Sequence, residues 1–260
     1  MTFTRTVLLG FIAGATIILG LPIARWQRPS DRVRTLLTAL ATGVLVFLVI
    51  DVFSAAYQPV QEAVRALRHH GSASRAGIDV AVLLGGAAVG LLGLALYPRR
   101  SPGAGAPATR DPRRLSLMIA TGIGLHNMGE GLAIGSSARA GLLGLSTVLV
   151  IGFALHNATE GFGIVSPLVG AAPPSWRYLA LTALIGGGPT TLGTLVGWAW
   201  SSPTLSIAFL SLAGGSIIFV IAQLLGVTAR SEHQTTVMVG IALGLVAGFV
   251  TDLVVGFAGG

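Results

Sequence analysis

The sequence predicts an all-α membrane protein with eight transmembrane helices, and three observations carry that prediction. Only 10% of the 260 residues are charged against 53% hydrophobic, with a mean hydropathy of +0.82, far from the roughly 25% charged content of a soluble domain. Apolar runs of about 20 residues, the length that crosses a bilayer core, recur eight times. The cationic residues fall almost entirely between those runs.

In order, the runs are Thr6 to Ala24, Val33 to Val52, Ile78 to Tyr97, Leu115 to Ser136, Leu142 to Val165, Tyr178 to Trp200, Leu205 to Val227 and Val237 to Phe257. The first follows Arg5 and ends among small residues, as a signal peptide does. Its length of about 19 residues exceeds a signal-peptide core, so it reads as a retained helix. Between the second and third runs, Val60, Val64 and Leu67 recur at helical spacing among Gln61, Glu62, Arg65 and Arg68, which predicts a short interfacial helix. Residues 98–114, rich in Ser, Gly, Ala and Pro between two arginine pairs, read as a flexible linker that divides the spans three and five. The chain is expected to form one transmembrane domain over residues 1–260.

The net charge of +7 and a pI near 11.4 raise nucleic acid as a partner. Against this, the chain has sixteen arginines and no lysine, and their distribution is that of membrane orientation. With the N-terminus outside, Arg25, Arg28, Arg32, Arg34, Arg99, Arg100, Arg110, Arg113, Arg114, Arg177 and Arg230 lie in cytoplasmic loops. Only Arg5, Arg65, Arg68, Arg75 and Arg139 lie outside. An even number of spans returns the C-terminus to the outside, so the expected partner is the lipid bilayer, with no nucleic acid. The absence of cysteine excludes disulfides and thiolate metal ligands.

One motif occurs twice. His126-Asn127-Met128-Gly129-Glu130-Gly131 is answered thirty positions later by His156-Asn157-Ala158-Thr159-Glu160-Gly161, and Leu125–Ser136 shares seven of twelve residues in register with Leu155–Ser166. An acidic side chain at the centre of a span costs roughly 2.5 to 3.5 kcal/mol, so two buried His/Glu pairs call for a compensating cation. A lone histidine on a buried helix is more often structural than ligating; the duplication reverses that reading. On a helix each His and Glu four apart share a face about 6 Å along the axis. The midpoint of the two motifs falls in Gly141 to Gly144, where a turn between antiparallel helices would bring both to one depth near mid-bilayer. Imidazole with carboxylate suits zinc, iron(II), manganese and cobalt. Asn127 and Asn157 lie near the same face, where their amide oxygens would hold a second ion bridged by Glu130 and Glu160. Gly131, Gly161 and Pro167 either loosen the helices or serve close packing, and both readings stand here.

These motifs resemble the fourth and fifth spans of the ZIP (Zrt-, Irt-like protein) family of divalent metal transporters, whose prokaryotic members typically carry His-Asn-Phe-Pro-Glu-Gly. The resemblance extends more weakly to Ala41-Thr42-Gly43-Val44 with Asp51, and to Ala213-Gly214-Gly215-Ser216 with Gln223. It implies a 3+2+3 arrangement in which spans one to three and six to eight form an inverted repeat around spans four and five. It also implies a primary metal site of His126, Glu130, His156 and Glu160, with Asn127 and Asn157 joining the glutamates at a neighbouring one. The implied function is alternating-access transport of Zn2+, with Fe2+, Mn2+, Co2+ and Cd2+ fitting the same ligands, into the cytoplasm across a prokaryotic plasma membrane. No prosthetic cofactor and no enzymatic activity are expected. A homodimer is compatible with such a fold, but no face of the sequence identifies it.

The chain departs from the family pattern at several positions. Gly129 and Thr159 replace proline, Gly188-Pro189 stands where many relatives have Glu-Pro, Gln223 replaces a common acid, and the linker has no histidine cluster. Asp51, Asp79 and Asp252 read either as acids at an entrance or exit or as helix-end residues facing water. His69, His70 and His233 read as surface loop histidines. Three alternatives share the metal motif: a channel-like conductor, a membrane-embedded metal-dependent enzyme, and a non-transporting sensor. Against the enzyme, the motif is neither His-Glu-x-x-His nor Glu-x-x-His; against the sensor, no soluble signalling domain is evident.

Overall fold

The computed structural model describes residues 2–69, 71–96, 111–200 and 202–259, and every regular element among them is helical. Helix α1 (Phe3–Ala15) continues as a 3-10 helix, Thr16–Arg25. It is followed by α2 (Asp31–Ala66), α3 (Ala73–Leu96), α4 (Pro112–Arg139), α5 (Leu143–Val165), α6 (Trp176–Ala199), α7 (Pro203–Thr228) and α8 (Gln234–Gly259). Their starts follow capping chemistry: the Ser30, Asp111 and Ser175 side chains accept from the backbone N–H of Val33, Arg113 and Tyr178, and Pro112 and Pro203 occupy first-turn positions where no N–H is needed.

Six helices among the described residues are long and apolar enough to cross a membrane, at 20 to 39 residues each, which marks the chain as a multi-pass membrane protein. The other two are α4 and α5, the pair that carries the polar motifs. Neighbouring helices cover α4, whose Ile119, Ile123 and Ile134 are fully buried along its length, while Ile151 and Leu155 of α5 are exposed.

Three expectations change in the structure. The predicted interfacial helix is not separate, because α2 runs on through Pro59 to Ala66. At 1.5 Å per residue its 36 residues span about 54 Å, well beyond a bilayer core of about 30 Å. Pro59 is tolerated there because Ala55, whose carbonyl it leaves without a helical donor, is exposed. The first run is wound as an α-helix and then as a 3-10 helix containing Pro22. Of the expected linker, residues 98–110 lie outside the described residues, and Pro112 to Arg114 form the first turn of α4.

The helices pack as two groups of four. In one, α1 with its 3-10 extension, α4, α5 and α6 surround the duplicated motif; in the other, α2 pairs with α8 and α3 with α7. The groups meet where α4 lies on α7 and α5 on α8, and Leu45, Ile119, Ile123, Ile164 and Ile217 fill one apolar core across that seam. Within the second group Asp79 is buried: it accepts from Thr204 Oγ1 at 2.7 Å and lies 3.8 Å from Arg75 Nε, tying α3 to the first turn of α7.

The arginine-rich loops gather at one end. Arg25 donates to the Pro174 carbonyl, Gly170 N–H to that of Trp26, and Tyr178 O–H to that of Arg113, while Thr35 pairs with Ser231. Exposed Trp26 and Trp176 rim this end, and Trp198 with Phe3 and Arg139 rims the other, as aromatic side chains do at the two interfaces of a bilayer.

Candidate metal centre

The turn between α4 and α5 lies at Ala140–Leu142, closed by N–H bonds from Gly141 and Leu142 to the Ala138 and Ser137 carbonyls. Gly141 there has φ of +78°, a conformation that favours glycine. The midpoint of the two motifs, Leu143, is the first residue of α5 just past this turn, and the antiparallel helices bring the motifs level. The His126 and His156 rings lie 6.0 Å apart, and Asn127 Nδ2 donates to Asn157 Oδ1 at 2.7 Å.

His126 Nε2 is 3.4 Å from Glu130 Oε1 and 3.8 Å from Glu160 Oε1, and His156 Nε2 is 3.4 Å from Glu160 Oε1. One ligand atom each from His126, Glu130 and His156 also lie within 4.8 Å of one another. Zinc bonds of about 2.0 to 2.1 Å at the tetrahedral angle place neighbouring ligand atoms about 3.3 Å apart. The His/Glu distances therefore need little adjustment to hold an ion of that size.

All six motif residues are buried, none more than 8% exposed. Both nitrogens of His126, Nε2 of His156, both oxygens of Glu160 and Oδ1 of Asn127 have no hydrogen-bond partner. An unsatisfied buried polar group costs about 1 to 3 kcal/mol, and a charged one more. Among these, His126 Nε2, His156 Nε2 and the Glu160 carboxylate face one another, as the ligands of a cation site do when their lone pairs are kept for the ion.

No protein-family model matches the chain, and no curated protein matches it.

Both motif glycines serve close packing. An added Cβ at Gly131 would run into the Thr190 carbonyl of α6, and one at Gly161 into the Ile17 carbonyl of the 3-10 segment. The motif helices run without a break through Gly129 and Thr159. Thr159 Oγ1 instead donates to the His156 carbonyl at 2.7 Å.

Of the other acids, Asp51 is close enough to the motif to interact with the charges of His126 and Glu130, and with that of Asp252. Asp51 and Asp252 are exposed on α2 and α8, Gln223 is half-buried on α7, and His69 is exposed at the end of the α2 extension. His70 lies outside the described residues. His233 lines a cavity of about 500 Å3 at the arginine-rich end, with Asp31, Thr38, Leu115, Ser166 and Leu224. Gly188 does not face the motif: an added Cβ would meet only the Leu184 side chain, at 3.3 Å, and the residue lines an apolar groove between α1 and α6 with Phe11 and Ile18.

Sequence reasoning missed Phe47. It is buried on α2, packs edge-to-face on His156 at 6.1 Å and is braced by Phe249 at 5.0 Å. Gly248 makes room for its ring, since a Cβ there would overlap it. Nothing local distinguishes this phenylalanine from any other apolar residue of the span. Phe47→Ala is expected to speed zinc arrival at the site several-fold in stopped-flow binding, at an unchanged zinc-to-protein ratio and a stability loss on the order of 3 kcal/mol. An unchanged rate with the same loss of stability would reduce Phe47 to packing.

Proposed function

We propose that this chain is a ZIP-like carrier that moves a divalent transition metal, zinc first, into the cytoplasm by alternating access. The observation that carries the reading is the buried His/Glu cluster: His126, Glu130 and His156 offer ligand atoms within 4.8 Å of one another, and Glu160 Oε1 lies 3.4 Å from His156 Nε2 and 3.8 Å from His126 Nε2. A channel would need a continuous path. Here the ligands are buried, and the cavity at the arginine-rich end is lined by Leu115, Leu224 and Ser166, the last of them six residues, or about 9 Å of helix, beyond Glu160.

In this reading α4 and α5 are also spans, completing eight, and the 3+2+3 repeat relates α1 to α6, α2 to α7, α3 to α8 and α4 to α5. Packing supports that relation: exchanging partners in this way turns the α2–α8 contact into α7–α3 and the α4–α6 contact into α5–α1. The positive-inside rule puts the arginine-rich end and its cavity on the cytoplasmic side, with both termini outside a prokaryotic plasma membrane. The motif sits in one group of four helices and Phe47 in the other, so a shear between the groups would expose the ion to one side or the other. Coordination needs deprotonated ligands, so a proton arriving on a glutamate or histidine favours release.

The test is zinc flux into proteoliposomes, with the Glu130→Ala, Glu160→Ala double variant as control. Saturable uptake that the variant lacks is the expected outcome. A wild-type protein that binds zinc but moves no zinc, iron, manganese or cobalt would overturn transport and favour a sensor or an enzyme.

A further inference from the structure

The two asparagines of the motif are the only asparagines in the chain, and both are fully buried. Asn127 Nδ2 donates to Asn157 Oδ1 at 2.7 Å and to the Gly186 carbonyl of α6 at 2.9 Å. Asn157 Nδ2 donates to the Ala13 carbonyl of α1 at 3.0 Å and reaches Glu130 Oε2 at 3.5 Å. A backbone carbonyl only accepts, so the Gly186 and Ala13 oxygens fix which end of each amide points where.

This orientation bears on what the amides can bind. Asn157 Oδ1 faces the N–H of Asn127, and a cation on that oxygen would sit beside a like partial charge. Turning both amides over to present oxygen would set two acceptors against the Gly186 and Ala13 carbonyls, in a place water does not reach. A second ion would also need a further anionic ligand, and α6 brings none: the residue before Pro189 is Gly188, which faces the groove beside Leu184. Only Asn127 Oδ1 remains unpartnered.

We infer that Asn127 and Asn157 form a hydrogen-bonded brace joining α4, α5, α6 and α1, which positions Glu130, and that the centre takes one divalent cation through its histidines and glutamates alone. The inference deepens the metal-site reading and rests on it for the count of ions; the brace itself does not. The asparagines act as positioning residues. Each donates to a backbone carbonyl of a flanking helix, at Ala13 in the last turn before α1 becomes 3-10 and at Gly186 where no side chain intervenes.

The experiment uses the full chain in detergent, with zinc chloride as the probe. Isothermal titration is expected to give one zinc per chain. With 15N-asparagine as the only label, the two side-chain NH2 groups are expected to be protected from hydrogen exchange both without and with zinc. Asn157→Asp keeps an oxygen and adds a charge but removes the donors, so a brace predicts binding roughly 10- to 100-fold weaker and a lower Tm, the range seen when outer-shell partners are lost. A ligand predicts binding as tight or tighter. Two zinc ions per chain, loss of NH2 protection on zinc addition, or undiminished affinity in Asn157→Asp would each overturn the inference. If the variant does not fold, the wild-type stoichiometry and amide protection decide it. A wild-type protein that takes up no zinc would instead sink the metal-site reading, while amide protection would still report on the brace.

Discussion

Replacing Glu160 by glutamine is expected to abolish zinc binding and uptake while leaving the metal-free protein at least as stable. Glu160 Oε1 faces both histidines, 3.4 Å from His156 Nε2 and 3.8 Å from His126 Nε2. Glutamine has the same shape, so packing is kept and only the anionic ligand is lost. Losing an outer-shell partner of a metal costs about 10- to 100-fold in affinity, and a direct ligand costs more than that. The second half of the prediction follows from burial: an uncompensated carboxylate opposes folding in the metal-free state more than a neutral amide does. Zinc at a hundredfold excess over its Kd stabilises a site by about 2.7 kcal/mol. A Tm scan with and without zinc therefore reads both effects, and a zinc-dependent rise in Tm that survives in Glu160→Gln removes this residue from the centre.

The second large effect is steric. Gly161→Ala is expected to lower stability by about 1 to 3 kcal/mol, the usual range for overpacking, and to weaken zinc binding, although it touches no ligand. Its new Cβ meets the carbonyl of Ile17, which is backbone and cannot rotate away. Helix α5 must move off the 3-10 segment, and the adjacent Glu160 moves with it. The same contact is tight from the other side, because a Cβ at Gly20 would run into the backbone of Gly161 and Phe162. Gly163→Ala is the control on the same helix: its Cβ would meet only that of Ala41, at 4.0 Å, and exchanging glycine for alanine in a helix interior gains up to about 1 kcal/mol. Similar losses in zinc affinity from both variants would refute the steric account.

Much of the site was legible because its signals are local. An i, i+4 pair shares a helix face whatever surrounds it, and two pairs thirty residues apart flank a glycine-containing turn, so His126, Glu130, His156 and Glu160 were expected together and at one depth. The apolar runs were legible for a similar reason: each is long enough by itself to register against a bilayer. Where such a signal weakened, at the end of the second run, the structure differs. The amphipathic stretch after the second run looked like a separate helix because a proline usually breaks one, whereas Pro59 merely leaves an exposed carbonyl to water and α2 continues. The expected second ion followed from asparagines that share the motif face; what engages their amides is set by α1 and α6, more than fifty residues away from one or both of them.

By itself the sequence determined the helical class, the membrane setting, the arginine-rich end and the identity of the His/Glu pairs, since each depends on composition or on spacing within a few turns. Only the tertiary structure decided that Gly131 and Gly161 are points of backbone contact, that Phe47 covers His156, that Gly188 looks away from the motif and that Asp79 is a buried tie. Each of these depends on which surface of one helix meets which surface of another, and that is settled by packing among segments far apart in the chain.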